Sequence, residues 1–379
     1  MKANSVAAII LAAGFSERMG DFKPLMMLGG MTVLERVIRL FQSVGVGRIH
    51  VVTGHRAAEL TPLVDRWGGR SVVNARYREG MYASVAAGVS SLEEGAASFF
   101  VLPADIPLVR QATLRSLMEA FPDGRAAICH PTFQGRRGHP PLIDGRFSAA
   151  IIDGQGDGGL KALLERYESE AVDVPVADEF ILQDLDGPDD YQRLCDRLKT
   201  RDILSPAECH ALLLERLRVP PAVWNHGRAV AKQALRIGRA LTAAGCRLDL
   251  GLIHAAALVH DMARGETNHA RRGAKILHEL DMPLMAEIVE AHMDLNVEMG
   301  GPIREAEVVF LADKLICEDR WVGIDRRFSP RLQDYCADPR IAASIRSKLE
   351  SARRSADRIE SFIGRPLTSL HPLDCLAEP

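Results

Sequence analysis

The sequence predicts an α/β domain with a mostly parallel sheet, followed by an all-helical domain. Its 379 residues are more than one hydrophobic core usually supports. Up to about residue 198, short β-rich segments alternate with helical periods, a pattern typical of βαβ units. Beyond that point, long segments with helical periodicity predict an almost entirely helical structure. We therefore predict one domain at residues 1–199 and a second at residues 205–379.

Five strands are predicted in the first domain from segments rich in apolar and β-branched residues. They are residues 6–11, 48–52, 71–74, 98–102 and 126–130. The first of these strands are apolar on both faces, which indicates a sheet covered by helices on both sides. Thr32 and Glu35 form a capping-box pattern, so a helix should begin there and end at Gly45.

The second domain should begin at Ser205. This residue is followed by Pro206 and Glu208, which supply a proline at the first helical position and a capping-box glutamate. No low-complexity linker and no internal repeat is evident in the sequence. The predicted helical segments are residues 205–218, 223–245, 249–263, 270–280, 283–294, 304–318 and 338–362.

Composition and charge are those of a soluble globular protein. Hydrophobic residues make up 47% of the chain, charged residues 26%, and the net charge is -3. This small charge predicts no nucleic-acid and no membrane partner. The start of the chain lacks a signal-peptide pattern and no two cysteines form a CxxC pair, so we expect reduced thiols and a cytoplasmic location. The cysteines are Cys129, Cys195, Cys209, Cys246, Cys317, Cys336 and Cys375.

A loop able to wrap a triphosphate follows the first predicted strand. Its small residues let backbone N–H groups approach phosphate oxygens. Arg18 and Lys23 add positive charge, which stabilises the negative charge that develops as pyrophosphate leaves. If Gly14 and Gly20 are taken alone, the alternative to a phosphate-binding loop is an ordinary strand-to-helix loop with solvated charges. The candidate nucleotide-binding residues here are Leu11, Ala12, Ala13, Gly14 and Lys23.

Two carboxylates are candidates for a Mg²⁺ site. Asp105 follows the strand at 98–102, at the edge where open α/β sheets bind ligands. Asp186 lies in an acidic cluster that we place at a strand end before a helix, where a simple N-cap is the alternative. Mg²⁺ takes one or two carboxylates plus substrate phosphates. Ser84, at a helix entry, and His139, in a polar loop, are candidates for the nucleotide and acceptor pocket.

Residues 5–198 resemble the MobA-like NTP-transferase family, most closely its molybdenum-cofactor cytidylyltransferase branch. The resemblance rests on LAAGFSERMGDFKPL (11–25), VVTGH (51–55), EGMYASVAAG (79–88), PADIP (103–107), GRRGHPPLI (135–143), GDGG (156–159) and DLDGPDDY (184–191). It implies a Rossmann-like domain in which a phosphorylated acceptor such as molybdopterin attacks the α-phosphorus of an NTP, with CTP favoured. Arg18 and Lys23 would stabilise the charge, and Asp105 and Asp186 would hold the metal. Other bases, and sugar or lactate-type acceptors, stay open.

Histidines are concentrated after residue 205. His260 and Asp261 end an apolar helical segment, so an imidazole and a carboxylate lie where a site can open. A lone histidine on a helix is more often a satisfied polar residue, but four other segments each offer a further ligand. These ligands are His226, His269, His292 and Asp313. Such a set suits Mn²⁺, Fe²⁺, Co²⁺, Ni²⁺ or Zn²⁺, and two ions bridged by one Asp would activate a water for phosphoester hydrolysis.

The order H…HD…H…H…D over about residues 222–320 resembles the HD superfamily of phosphohydrolases. It is carried by WNHGRAV (224–230), AALVHDMARG (256–265), NHARRGA (268–274), IVEAHMDL (288–295) and FLADKL (310–315). The resemblance implies core ligands at His226, His260, Asp261 and Asp313, with Asp261 as the bridging catalytic carboxylate. His269 and His292 would complete a second metal site. Arg264 stands where the family often has a lysine.

These features together predict a bifunctional enzyme. One alternative is a nucleotide phosphohydrolase whose transferase-like domain supplies or senses nucleotide. Another is a non-catalytic, nucleotide- and metal-binding factor of cofactor maturation, with a molybdoenzyme as the partner. His210, His254, His278 and His371 match no motif position, and we assign them to surface or packing.

Overall fold

The computed structural model describes residues 5–92, 96–121, 127–154, 156–297 and 300–371. The chain divides into two compact units, Met1–Arg201 and Asp202–Pro379. Within the described ranges, no helix combines the length and apolar character needed to cross a membrane. The cysteines in these ranges are free thiols, while Cys375 and the first residue of the predicted strand 126–130 lie outside them.

The first unit is built around one sheet. Its strands are β1 (Val6–Ala12), β4 (Arg48–Thr53), β5 (Arg70–Val73), β6 (Ser98–Pro103), β7 (Ile128–Phe133), β8 (Arg136–Arg137), β9 (Leu142–Asp144) and β10 (Ala171–Pro175), and a separate hairpin is formed by β2 (Met27–Leu28) and β3 (Met31–Thr32). The strand order in the sheet is β10-β7-β9-β6-β1-β4-β5, and β8 pairs with β7. Only the pairings of β9 and β8 are antiparallel in this sheet. The prediction of a mostly parallel, Rossmann-like sheet is therefore confirmed.

Helices cover both faces of this sheet. Ala7 and Ile9 of β1 face a cluster that includes Val85 and Val89, whereas Phe41 packs against Phe100 of β6 at 5.6 Å between ring centroids. Alternate residues of a strand point to opposite faces, so a strand buried on both sides is apolar throughout. The helices are α1 (Val33–Ser43), α2 (Ala57–Arg66), α3 (Met81–Ser90), α4 (Gln111–Ala120), α5 (Ser148–Ile152), α6 (Gly159–Glu165) and α7 (Pro188–Lys199).

Parallel pairing brings the two predicted site segments to one edge of the sheet. Leu11 of β1 is in register with Pro103 of β6. The loop after β1 and the segment carrying Asp105 therefore leave the sheet side by side. The cap of α1 is as predicted, because the Thr32 hydroxyl accepts a hydrogen bond from the Glu35 amide at 3.1 Å.

The predicted strand before Asp186 is wrong. A 3-10 turn, Glu179–Leu182, precedes Asp186 instead, and an irregular segment that contains Asp186 then leads into α7. The buried Leu185 explains the difference, because its amide donates a single hydrogen bond to the carbonyl of Asp105 at 2.8 Å. This bond brings the segment to the end of β6 without a β-ladder, and ion pairs from Lys23 to Asp105 and Asp186 link the same two places.

The second unit is helical apart from a two-stranded hairpin. Its elements are α8 (Pro206–His210), α9 (Pro221–Ala243), α10 (Leu250–Val259), α11 (His269–Glu279), α12 (Pro283–Ala291), α13 (Glu305–Leu315), β11 (Ile316–Cys317), β12 (Arg320–Trp321), α14 (Ile324–Asp334) and α15 (Pro339–Ile363). The Ser205 capping box is present, with the Ser205 hydroxyl accepting from the Glu208 amide at 3.2 Å.

Three features of this unit differ from the predictions. The helix predicted at 205–218 changes to a π-helix at Ala211–Arg216. The helix predicted at 304–318 ends at Leu315, and the hairpin follows. Helix α14 was not predicted, because it has an internal Pro330 and buries only Phe328, so its apolar periodicity is weak.

Candidate active sites

The loop after β1 leaves open space in front of its backbone. A Cβ atom added at Gly14 would meet nothing within 4 Å. Ser16 and Gly20 adopt left-handed backbone angles, with φ of 60° and 73°, and the Ser16 hydroxyl accepts a hydrogen bond from the Lys23 amide at 3.1 Å. These turns fold the loop back on itself. As a result, the Lys23 side chain lies at the edge of the sheet from which Asp105 projects.

Four of the predicted residues converge at this edge. The Lys23 ammonium lies 3.1 Å from Asp186 Oδ1 and 3.4 Å from Asp105 Oδ2. The Arg18 guanidinium pairs with Asp186 at 2.9 Å. Burial raises the pKa of Asp105, and Lys23 offsets part of that rise. Two carboxylates that face one space are a ligand set that fits Mg²⁺, and a lysine ammonium already lies between them.

A cavity of about 340 Å³ adjoins these residues. Its lining includes Ser84 and Gly14, and also Tyr77 and Arg78, which the sequence did not single out. Ser84 is buried and its hydroxyl accepts a hydrogen bond from the Asn74 amide at 3.0 Å. The predicted nucleotide-binding residues that line this cavity are Leu11, Ala12, Ala13, Gly14, Lys23 and Ser84.

His139 lines a second, larger cavity instead. This space of about 680 Å³ shares Leu11, Met81 and Pro103 with the smaller one. Burial lowers the pKa of His139, and its Nδ1 atom is buried with no hydrogen-bond partner among the described residues. The cationic side chains of this cavity are Arg136, Arg137 and Lys161, against one carboxylate, Glu165.

In the second unit, the two oxygens of Asp261 each face a different pair of imidazoles. Oδ2 lies 3.8 Å from Nε2 of both His226 and His260. Oδ1 lies 3.3 Å from Nε2 of His269 and 3.5 Å from Nε2 of His292. Asp261 is therefore common to two groups that could each hold a metal ion, which is the arrangement of a bridging carboxylate.

Asp313 completes the first group. Its Oδ1 lies 3.2 Å from His226 Nε2 and 3.7 Å from His260 Nε2. Burial by itself raises the pKa of Asp261, but the imidazoles of His260, His269 and His292 outweigh burial and hold that pKa well below its usual range. Asp261 is thus ionised at neutral pH and available as a ligand.

The hydrogen bonds of the imidazoles fit metal binding. The Nδ1 atoms of His226, His260 and His292 face the backbone carbonyls of Glu318, Ala257 and Val289. Since a carbonyl only accepts, each Nδ1 carries the proton, and in the neutral ring Nε2 is left as a lone pair. The buried Nε2 atoms of His260, His269 and His292 have no hydrogen-bond partner among the described residues.

These Nε2 atoms face the carboxylates of Asp261 and Asp313, so positive charge has to lie between them, either as a proton on an imidazole or as a bound cation. The donor set of imidazole nitrogens and two carboxylates suits a divalent transition metal. The predicted ligands His226, His260, Asp261, His269, His292 and Asp313 all lie in this cluster. His278 is exposed, and His210 and His371 pack against Trp224 and Trp321, away from the cluster.

Comparison with known proteins separates the same two parts of the chain. The model of the MobA-like NTP transferase domain matches residues 8–172, and the HD domain model matches residues 223–316. Phosphoenolpyruvate guanylyltransferase of Rubrobacter xylanophilus is 30% identical over 188 residues, which are 48% of this chain and 87% of that protein. The chain belongs to the MobA-like NTP transferases and carries an HD domain.

Other relatives match the MobA-like part. Molybdenum cofactor cytidylyltransferase of Escherichia coli (strain K12) is 27% identical over 192 residues, covering 50% of this chain and 94% of that protein. A nucleotidyl transferase structure from Methanothermobacter thermautotrophicus is 26% identical, with a TM-score of 0.45, and covers 52% of this chain and 98% of that one. The chain spans only 34% of the bifunctional protein GlmU of Paracidovorax citrulli, to which it is 29% identical.

The HD domain contains two further groups that sequence reasoning missed. One is Lys314, whose ammonium contacts Asp313 at 2.6 Å. The other is the carbonyl of Glu318, which the hairpin of β11 and β12 brings to His226. Glu318 has a left-handed φ of 56°. A lysine next to a ligand was visible in the sequence, but the hairpin had no sequence signal that we could recognise. Arg264 contacts Asp261 at 3.3 Å, at the exposed side of the cluster.

Gly227 sets how closely α9 approaches α10 beside the candidate metal ligands. A Cβ atom at this position would lie 2.4 Å from the carbonyl oxygen of Leu258, a backbone atom that cannot rotate away. We expect Gly227→Ala to lower the free energy of unfolding by about 1–3 kcal/mol, since overpacking outweighs the gain in helix propensity. It should also weaken metal binding, because His226 is the preceding residue. Chemical denaturation and metal titration measure the two effects.

Gly238→Ala is a matched control on the same helix. There a Cβ atom would meet the side-chain ends of Leu250 and Ile253 at 2.8 Å and 3.3 Å, and these can move. The control should cost less stability and leave metal binding unchanged. Equal metal affinity in the Gly227→Ala protein and the unchanged protein would contradict the expectation.

Proposed function

We propose that the chain is a bifunctional enzyme, with a nucleotidyltransferase at residues 1–199 and an HD phosphohydrolase at residues 205–379. The first domain would transfer a nucleotidyl group from an NTP, with CTP favoured, to a phosphorylated acceptor such as molybdopterin. The second would hydrolyse a phosphoester with the help of divalent ions. Each half of the proposal is supported by one geometric observation.

For the transferase, the supporting observation is the meeting of Lys23, Asp105 and Asp186 at the carboxyl edge of the sheet, beside the cavity of the β1 loop. A phosphate oxygen of the acceptor would form a bond to the α-phosphorus, and the bond to pyrophosphate would break. Arg18 and Lys23 would stabilise the negative charge that develops on the leaving pyrophosphate. Asp105 and Asp186 would hold Mg²⁺, which when bound neutralises phosphate charge.

The larger cavity supports an anionic acceptor with an apolar body. Its lining includes the cations Arg136 and Lys161, while Val85 and Leu164 contribute apolar surface. Arg137 also lines it, but its guanidinium is already paired with Glu168 and Asp173. The larger cavity meets the smaller cavity at Leu11, Met81 and Pro103, so an acceptor bound in the larger one would lie next to a nucleotide bound in the smaller one. The name of the Escherichia coli relative suggests molybdopterin and CTP, and that of the Rubrobacter relative suggests GTP as the main competitor.

For the HD domain, the supporting observation is the arrangement of imidazoles around Asp261, whose two oxygens face the Nε2 atoms of two separate pairs. Two divalent ions held there would activate a water and clamp a phosphate. Asp261 would bridge them, with His226, His260 and Asp313 on one side and His269 and His292 on the other. Arg264 lies at the exposed side of the cluster, where a phosphate would enter.

The proposal is tested by pyrophosphate release from CTP, GTP, ATP and UTP with Mg²⁺, with and without molybdopterin as the acceptor. Acceptor-dependent release with CTP is the expected result, and release with GTP instead would move the assignment to guanylyl transfer. If a folded protein hydrolyses phosphoesters with Mn²⁺ but releases no pyrophosphate from any NTP, the first domain would be a nucleotide sensor. Tight nucleotide binding without either reaction would indicate a non-catalytic maturation factor.

A further inference from the structure

Lys314 is a buried ammonium group inside the proposed metal centre. It is only 6% exposed, although lysine is rarely buried without a partner. Its Nζ atom donates to Asp313 Oδ2 at 2.6 Å and to the carbonyl oxygen of His292 at 3.0 Å. The ring of Phe310, which is also buried, lies 5.0 Å from the ammonium. The side chain is therefore held in one place by an anion, a carbonyl and an aromatic ring.

The two hydrogen bonds of Lys314 connect the two halves of the cluster. By binding Oδ2 of Asp313, the ammonium turns Oδ1 toward His226 and His260. By binding the carbonyl of His292, it ties the end of α12 to the end of α13. His292 belongs to the other group of ligands around Asp261. One side chain thus contacts a ligand residue from each half.

Electrostatics alone would make this lysine unfavourable for metal binding. A positive charge 2.6 Å from a ligand carboxylate competes with an incoming dication and repels it. Outer hydrogen bonds that orient a ligand act in the opposite direction, because they fix the ligand before the metal arrives. The two contributions have opposite signs, so the sign of a measured change in metal affinity shows which one dominates.

We propose that Lys314 is a positioning residue that orients Asp313 and the His292 segment so that the cluster holds two ions. This inference rests on the proposed HD metal centre. Removing the ammonium frees Asp313 to rotate and loosens the contact between α12 and α13. Metal affinity should then fall, even though a repelling charge has been removed.

The experiment is a Co²⁺ titration of the chelator-treated full chain, followed by visible absorption. We expect two Co²⁺ ions to bind per chain, as the two ligand groups suggest. Lys314→Met should weaken binding by about 10- to 100-fold and change the visible spectrum, which reports ligand geometry. Lys314→Gln keeps a hydrogen-bond donor without the charge, so its loss should be smaller. Lys275→Met, which removes an exposed cation from α11, should change neither affinity nor spectrum.

The outcomes separate the alternatives. A Lys314→Met protein that binds Co²⁺ as tightly as the unchanged chain or more tightly, with the same spectrum, overturns the inference. If that variant does not fold, the same result with Lys314→Gln overturns it. A lower melting temperature with unchanged Co²⁺ affinity and spectrum would also do so, since it would show a purely structural role. If the unchanged chain binds no Co²⁺, the metal centre itself is wrong, and the inference falls with it.

Discussion

Replacing Asp105 by alanine should abolish nucleotidyl transfer while leaving metal-dependent hydrolysis by the second domain intact. The Asp105 carboxylate is one of two that face the Lys23 ammonium, at a distance of 3.4 Å, and it projects from the end of β6. Loss of a ligand to the ion that neutralises phosphate charge should lower kcat by about 1,000-fold or more. Steady-state pyrophosphate release measures this effect.

The fold should survive this change, because Lys23 keeps Asp186 at 3.1 Å and the backbone bond from Leu185 to the Asp105 carbonyl does not depend on the side chain. Asp189→Ala is a suitable control, because it removes an exposed carboxylate from the first turn of α7, whereas Lys23 forms its ion pairs with Asp105 and Asp186. This control should keep full transfer. Transfer that persists in a folded Asp105→Ala protein would show that the metal is held elsewhere.

Replacing His260 by alanine should have the reverse effect. His260 is completely buried, and its Nε2 atom faces both Asp261 at 3.8 Å and Asp313 at 3.7 Å. Its removal takes a nitrogen ligand from the first group, so bound metal should fall from two ions to one per chain. Phosphoester hydrolysis should fall by about 1,000-fold, because one of the two ions that together would activate the water and clamp the phosphate is lost. Transfer by the first domain should be unchanged.

Metal analysis and a phosphoester assay in Mn²⁺ measure the two quantities. His278→Ala is the matched control, since His278 is exposed near the end of α11. It should retain both ions and full hydrolysis. If Asp105→Ala or His260→Ala removed both activities from a folded chain, the model of two independent sites would be wrong.

The sequence was sufficient for the features that depend on neighbouring residues. The apolar strands β1 and β6, the Thr32 and Ser205 caps and the long helix α9 all follow from local periodicity and capping chemistry. The sequence also predicts that the candidate residues at 11–23 lie near Asp105. Parallel strands place their carboxyl ends at one edge, so two such loops must be neighbours.

Contacts between distant segments could not be predicted in this way. Asp186 lies beside Asp105 through a backbone hydrogen bond from Leu185 and the ion pairs that Lys23 makes with both carboxylates. Neither contact follows from a strand pattern in the sequence. His139 lines the larger cavity rather than the one at the β1 loop, because the loop position of a residue does not define the pocket it faces. Helix α14 buries too little apolar surface for its periodicity to be recognised.

By itself, the sequence determined which residues are candidates for the two sites and in what order they occur, because motifs and periodicity are local properties of the chain. Only the tertiary structure decided how those groups face one another. It alone shows that the two oxygens of Asp261 face different pairs of imidazoles. It alone shows that Lys314 bonds to Asp313 and to the His292 carbonyl. The direction in which a side chain points depends on how helices far apart in sequence pack together, and local sequence patterns do not contain that information.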